Sequence, residues 1–116
     1  MSINPFLKTQ LDYDMVSAVV NKIAWSHNNT LTTFDNTLKN CFIYQSGKHI
    51  ATYSYDDGSI TLYDDGTKSI TTKNRLNALL SQFRVGDITL YQKNFSWFIQ
   101  DRLCASPRQF VSGMTV

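Results

Sequence analysis

The polar residues with the best claim to chemistry gather at the start of an apolar-periodic segment, as Lys73, Asn74, Arg75 and Asn77. Cations in a first helical turn oppose the positive end of the helix dipole. Such an arrangement can mark a phosphate or carboxylate ligand. Tyr91, Lys93 and Arg102, on the segments that follow, can extend this surface along a nucleic-acid backbone. Aromatic side chains on an exposed sheet would then stack on bases. These residues form the candidate partner or phosphate contacts. A plainer reading carries more weight for Lys73 and Arg75: their stems cover the apolar stripe and their charges pair with aspartates.

Other groups are weaker. Tyr55-Asp56-Asp57-Gly58 recurs as Tyr63-Asp64-Asp65-Gly66. Calcium loops need alternating oxygen ligands and a closing bidentate Glu, which neither copy offers. Asp-Gly supplies the positive φ of a tight turn, so both are expected to be turns. His27, His49, Cys41 and Cys104 show no local pair at metal-ligand spacing. The cysteines read as small apolar residues of a reducing compartment. The sequence has no Gly-rich phosphate loop, nucleophile elbow or paired carboxylates on a helix face. No catalytic, cofactor or metal residues are therefore expected, and no enzyme.

Composition bounds the rest. The chain has 116 residues, 42% hydrophobic and 17% charged, which is one domain's length with enough apolar residues for a core. A net charge of +2, with its 11 Lys and Arg residues dispersed, is weaker than the basic excess of dedicated nucleic-acid modules. No window approaches the roughly 18 apolar residues of a membrane span, and residues 1–10 lack a leader pattern. The host cytoplasm is the expected location.

Positioning these residues falls to elements read from periodicity. Residues 1–11, with Pro5, read as an arm or short turn. Val16, Val19, Val20 and Ile23 repeat at helical spacing over residues 15–25. Asp12 and Asp14 are expected to cap that helix and Asn28 and Asn29 to end it. From Leu31 the period becomes two. Strands are expected over 31–34, 41–44, 49–55 and 59–63, with a hairpin turn at Ser46-Gly47. The alternation in 50–55 leaves its buried face undecided. The clearest helix starts near Thr72, capped by a threonine, and its stripe is Leu76, Leu79, Leu80 and Phe83. Strands over 88–92 and 95–100 close the pattern, and Phe95, Trp97 and Ile99 are expected on the helix-facing side. The order is α-β-β-β-β-α-β-β, an α+β fold of antiparallel meander plus C-terminal hairpin on one main helix.

Residues 29–99 resemble a family of small bacteriophage and prophage proteins. The likeness rests on Asn29-Thr30, Ile50-Ala51, the threonine-rich approach to Arg75-Leu76-Asn77, Tyr91-Gln92-Lys93 and Trp97-Phe98-Ile99. It makes residues 1–28 a helical extension, 29–100 the core and 101–116 a tail, all in one domain. The resemblance implies a phage origin and supplies no catalytic residue. A phage accessory protein that binds and modulates a host protein is the expectation, with RNA or single-stranded DNA binding as the alternative. Tyrosine and tryptophan dominate protein interfaces, and unpaired strand edges invite a homodimer by sheet extension.

Overall fold

In a computed structural model, which describes residues 3–35, 37–66, 68–85, 87–102 and 106–116, a side-chain hydroxyl caps each helix. The Thr9 hydroxyl accepts from the Asp12 N–H at 3.0 Å and starts α1 (Gln10–Asn21). The cap is thus Thr9 rather than an aspartate, and the helix begins earlier than the valine spacing implies. It stops at Lys22, whose left-handed backbone (φ 56) turns its N–H back to the Ala18 and Val19 carbonyls. Ile23, expected on the apolar stripe, lies beyond the helix and is exposed.

The chain then extends as β1 (Trp25–His27) and turns through Asn28 and Asn29 (φ 47 and 68) into β2 (Thr30–Phe34). The two asparagines make a left-handed hairpin turn rather than a helix stop. β3 (Asn40–Gln45) and β4 (Lys48–Ser54) follow, joined at Ser46 and Gly47 (φ 53 and 78) as expected. Ile43 pairs with Ala51 and Tyr44 with His49, which leaves Ile50 as an extra residue on β4. This bulge lets Ile50 and Ala51 both be buried. It settles the face that alternation left open.

Asp57 accepts from the Ser59 N–H at 2.9 Å, a hydrogen bond that holds its carboxyl below the usual range. That turn leads into β5 (Ile60–Leu62). Ser69, not a threonine, caps α2 (Ile70–Phe83), whose Leu76, Leu79 and Leu80 are buried as the stripe predicts. β6 (Ile88–Lys93) and β7 (Ser96–Asp101) form a hairpin in which Lys93 pairs with Ser96. That register puts Asn94 and Phe95 (φ 52 and 66) in the turn. Phe95 is 92% exposed, so it does not join Trp97 and Ile99 in the core.

The tail contributes β8 (Arg108–Gln109) and β9 (Met114–Thr115). The strands form a six-stranded sheet, β1-β2-β3-β4-β5-β9, and a three-stranded sheet, β6-β7-β8, with every pairing antiparallel. Met15, Val16 and Val19 of α1 share one apolar core with the α2 stripe, Cys41, Ile43, Ile60, Leu62, Trp97 and Phe110. Cys104 lies outside the described residues.

Candidate interaction face

The residues singled out at α2 are drawn into the fold. Arg75 donates to Asp12 at 2.7 Å, a pair with side chains only 14% and 5% exposed. At the helix start the anion is the protein's own. The Asp65 carboxylate accepts from Ser69 Oγ at 2.6 Å, Thr72 Oγ1 at 2.9 Å and the Ser69 N–H at 3.3 Å. It sits where the helix dipole favours negative charge. Asn77 donates to the Leu90 carbonyl at 2.7 Å and accepts from its N–H at 2.8 Å. The side chain thereby completes the free edge of β6 as another strand would.

Asn74, Arg75 and Asn77 line a cleft of about 160 Å³ between α2 and the N-terminal arm, together with Phe6, Lys8 and Asp12. Lys73 is half-buried on the same helix. Tyr91 stacks on Phe98, with ring centroids 5.7 Å apart, on the side of the hairpin away from its buried residues. Lys93, beside the hairpin tip, is exposed. Arg102 follows the far end of β7 and lies 3.5 Å from Asp87. The fold therefore gathers Asn74, Arg75 and Asn77 at one cleft, leaves Lys73 outside its lining, and sets Lys93 and Arg102 at opposite ends of the hairpin.

A different surface has the makings of a site. Side chains alternate across a pleated strand, so the six-stranded sheet has an inner face on the helices and an outer face away from them. One outer row runs Leu31, Tyr44, His49, and a second runs Thr33, Phe42, Thr52, Thr61, Thr115. The bulge at Ile50 turns His49 outward into an aromatic cluster. Its ring centroid is 4.6 Å from Tyr63, 5.3 Å from Tyr44 and 5.8 Å from Phe42. His49 Nε2 lies 2.9 Å from the Ala51 carbonyl and 2.8 Å from Thr52 Oγ1, which fixes the ring.

Across all six strands the sole formally charged residue is Lys48, which donates to the Asp65 carbonyl at 2.8 Å. The face thus offers aromatic rings and hydroxyls without charge. Charge depletion with aromatic enrichment is the signature of an interface core, whereas nucleic-acid binding draws most of its strength from Lys and Arg on phosphates. The single-sequence reading missed Phe42, Tyr44, His49 and Tyr63 as a group. The available signal was Phe42 and Tyr44 alternating with Cys41 and Ile43, and the bulge hid its continuation.

A family model, Kyanoviridae Gp96 protein, matches residues 8–116. The chain belongs to that phage protein family. The match takes in α1, β8 and β9 of this Kyanoviridae Gp96 chain, so most of the segments expected as additions lie within the family's span. No curated protein and no solved structure matches it.

Two further groups bear on its chemistry. Cys41 is buried, and burial pushes its thiol up to about 12, with the Tyr55 hydroxyl pulling the other way. Burial also raises Tyr55, whose hydroxyl donates to the Val19 carbonyl at 2.6 Å. Among the described residues, no group of three or more His, Cys, Asp or Glu is placed to hold a metal. Nor, among the described residues, is any helix long and apolar enough to cross a membrane.

Proposed function

We propose that this phage protein is a non-enzymatic accessory protein that works in the host cytoplasm. It binds and modulates a host protein through the outer face of the six-stranded sheet. One observation carries the reading: an uncovered sheet face centred on Phe42, Tyr44 and His49, with Tyr63 just past β5, in strands whose only charged residue is Lys48. Tyrosine and phenylalanine supply interface energy in desolvated centres, and a face without charge enters such a centre at no cost in buried ions.

The test is affinity capture of the tagged protein from host lysate, with and without nuclease, beside a Thr52→Lys variant. Thr52 is half-buried on the outer face, so a lysine there places a charge in the centre of the contact. The expected result is a host protein retained by the natural sequence, indifferent to nuclease and lost with Thr52→Lys. Capture of the same protein by both would sink the assignment to this face.

The stacked Tyr91–Phe98 pair beside exposed Lys93 favours a second reading, single-stranded nucleic acid on the hairpin. That binding would weaken steeply with salt and drop with Lys93→Glu. Retention on RNA or single-stranded DNA at low salt no better than an inert protein of equal charge ends it.

A further inference from the structure

We propose that in the free protein a second copy of the chain covers the outer face, the two six-stranded sheets packing face to face about a two-fold axis. The inference rests on the reading of this face as an interface and names what occupies it before the host protein does.

Sheet extension through an edge has little to work with. At the two ends of the large sheet, β1 spans only Trp25–His27 and β9 only Met114–Thr115. In the small sheet β8 is two residues, and the longer β6 has its Leu90 N–H and carbonyl already taken by Asn77. Short edges and edges covered by other elements resist strand pairing. The broad uncovered surface is the face.

Symmetry then selects the partner. A two-fold interface brings a patch against its own copy, so any net charge on the patch would meet itself. This face passes that condition, because Leu31, Thr33, Phe42, Tyr44, His49, Thr52, Thr61 and Thr115 include no Asp, Lys or Arg. Two stacked sheets pack about 10 Å apart with side chains interdigitated, a spacing that aromatic and threonine side chains fill together.

Area sets the strength. Six strands at about 4.8 Å spacing and rows about 15 Å deep give a plan area of roughly 400 Å². A stable dimer buries about 800 Å² per partner. The pair is therefore weak and exchanging, and a host protein with a larger footprint displaces it.

Sedimentation velocity of the full chain from about 5 to about 500 µM brackets the micromolar-range constant that a small interface gives. The expected result is a rise from monomer toward dimer, unchanged between about 0.05 and about 0.5 M salt because no charges meet. Thr52→Lys should stay monomeric, and Lys73→Glu, on the helix side, should associate like the natural sequence. Circular dichroism and a urea midpoint check that Thr52→Lys folds. Leu31→Lys, at a position 41% exposed on the same face, repeats the test if it does not. A monomer at every concentration overturns the inference, as does a dimer that both lysine variants retain. Host capture lost with Thr52→Lys while the natural sequence stays monomeric at every concentration overturns this inference alone and leaves the host-binding reading standing.

Discussion

At the scale of single residues, Asp65 changes how the start of α2 is understood. Its carboxylate accepts from Ser69 Oγ, Thr72 Oγ1 and the Ser69 N–H. Asp65→Ala would strip the helix start of its anion and leave the fully buried Thr72 hydroxyl without this acceptor. A buried group left unsatisfied costs about 1–3 kcal/mol, so urea unfolding should report a loss of that size with an unchanged m-value. A neutral result would mean that solvent or another acceptor replaces the carboxylate. Arg75 carries a related lesson. Its partner Asp12 is 3% exposed, so Arg75→Ala leaves a buried charge alone and should cost about 3–5 kcal/mol. Charge reversal there would unfold the chain rather than probe a ligand, which makes Lys73→Glu and Lys93→Glu the cleaner surface probes. Titration is legible at this scale too. Burial raises the Cys41 thiol from its ordinary 9.0 to about 12, so the folded chain keeps a proton that the unfolded chain releases between those values. Stability is fully present below the unfolded value and falls as pH rises toward the folded one, by at most about 1.4 kcal/mol per pH unit for one site. Tyr55, raised by burial, adds to the fall. Urea midpoints should drop between about pH 8 and about pH 10.5, and Cys41→Ala should flatten that slope relative to its own neutral value. Equal slopes would remove the thiol from the account.

At the scale of elements, what could be read in advance followed from how local each signal is. The α2 stripe and the Ser46-Gly47 and Asp57-Gly58 turns depend on residues within a few positions of one another, and they form as their spacing implies. The misses have non-local causes. β1 forms because Trp25, Ser26 and His27 pair with Thr32, Leu31 and Thr30, so Trp25, expected at the end of the first helix, is taken by a strand that only its partner defines. The extra residue at Ile50 is defined only by β3 opposite it. Without that bulge neither the outward turn of His49 nor the aromatic face can be deduced. Phe95 leaves the expected face because the turn takes Asn94 and Phe95 rather than Lys93 and Asn94, so the strand begins one residue later while Trp97 and Ile99 keep their places. Asn77 is the sharpest case, since its role is set by Leu90 on another element. Asn77→Ala should expose both backbone groups of Leu90, for a cost of about 1–3 kcal/mol. Hydrogen exchange would localise it: the Leu90 amide should lose protection while amides on the β7 side of the hairpin keep theirs. Loss of protection across the whole chain instead would assign Asn77 to global packing.

At the scale of the whole molecule, residues 106–116 act as a strap between the two sheets. β8 pairs with β7 in the small sheet, and β9 pairs with β5 in the large one. Between them Phe110 is buried with its ring edge-on to Trp97, centroids 5.3 Å apart. Arg84, at the end of α2, donates to the Gly58 and Val116 carbonyls at 2.9 and 2.6 Å, which ties the strap to the helix and to the turn before β5. Each sheet carries one tryptophan, Trp25 in the large and Trp97 in the small, so each can be followed separately. Trp25→Phe leaves Trp97 as reporter of the small sheet, and Trp97→Phe leaves Trp25 as reporter of the large one. With the strap present, both should show the same urea midpoint, since one core then unfolds as a unit. Removing residues 110–116 takes away Phe110, β9 and the Val116 acceptor. Truncating a buried Phe alone costs about 3–5 kcal/mol, and the loss falls first on Trp97. The small sheet would then remain attached chiefly through α2 and Asn77, and its Trp97 transition should move to lower urea than the Trp25 transition. Coincident transitions in the shortened chain would instead show that α2 couples the sheets without the strap.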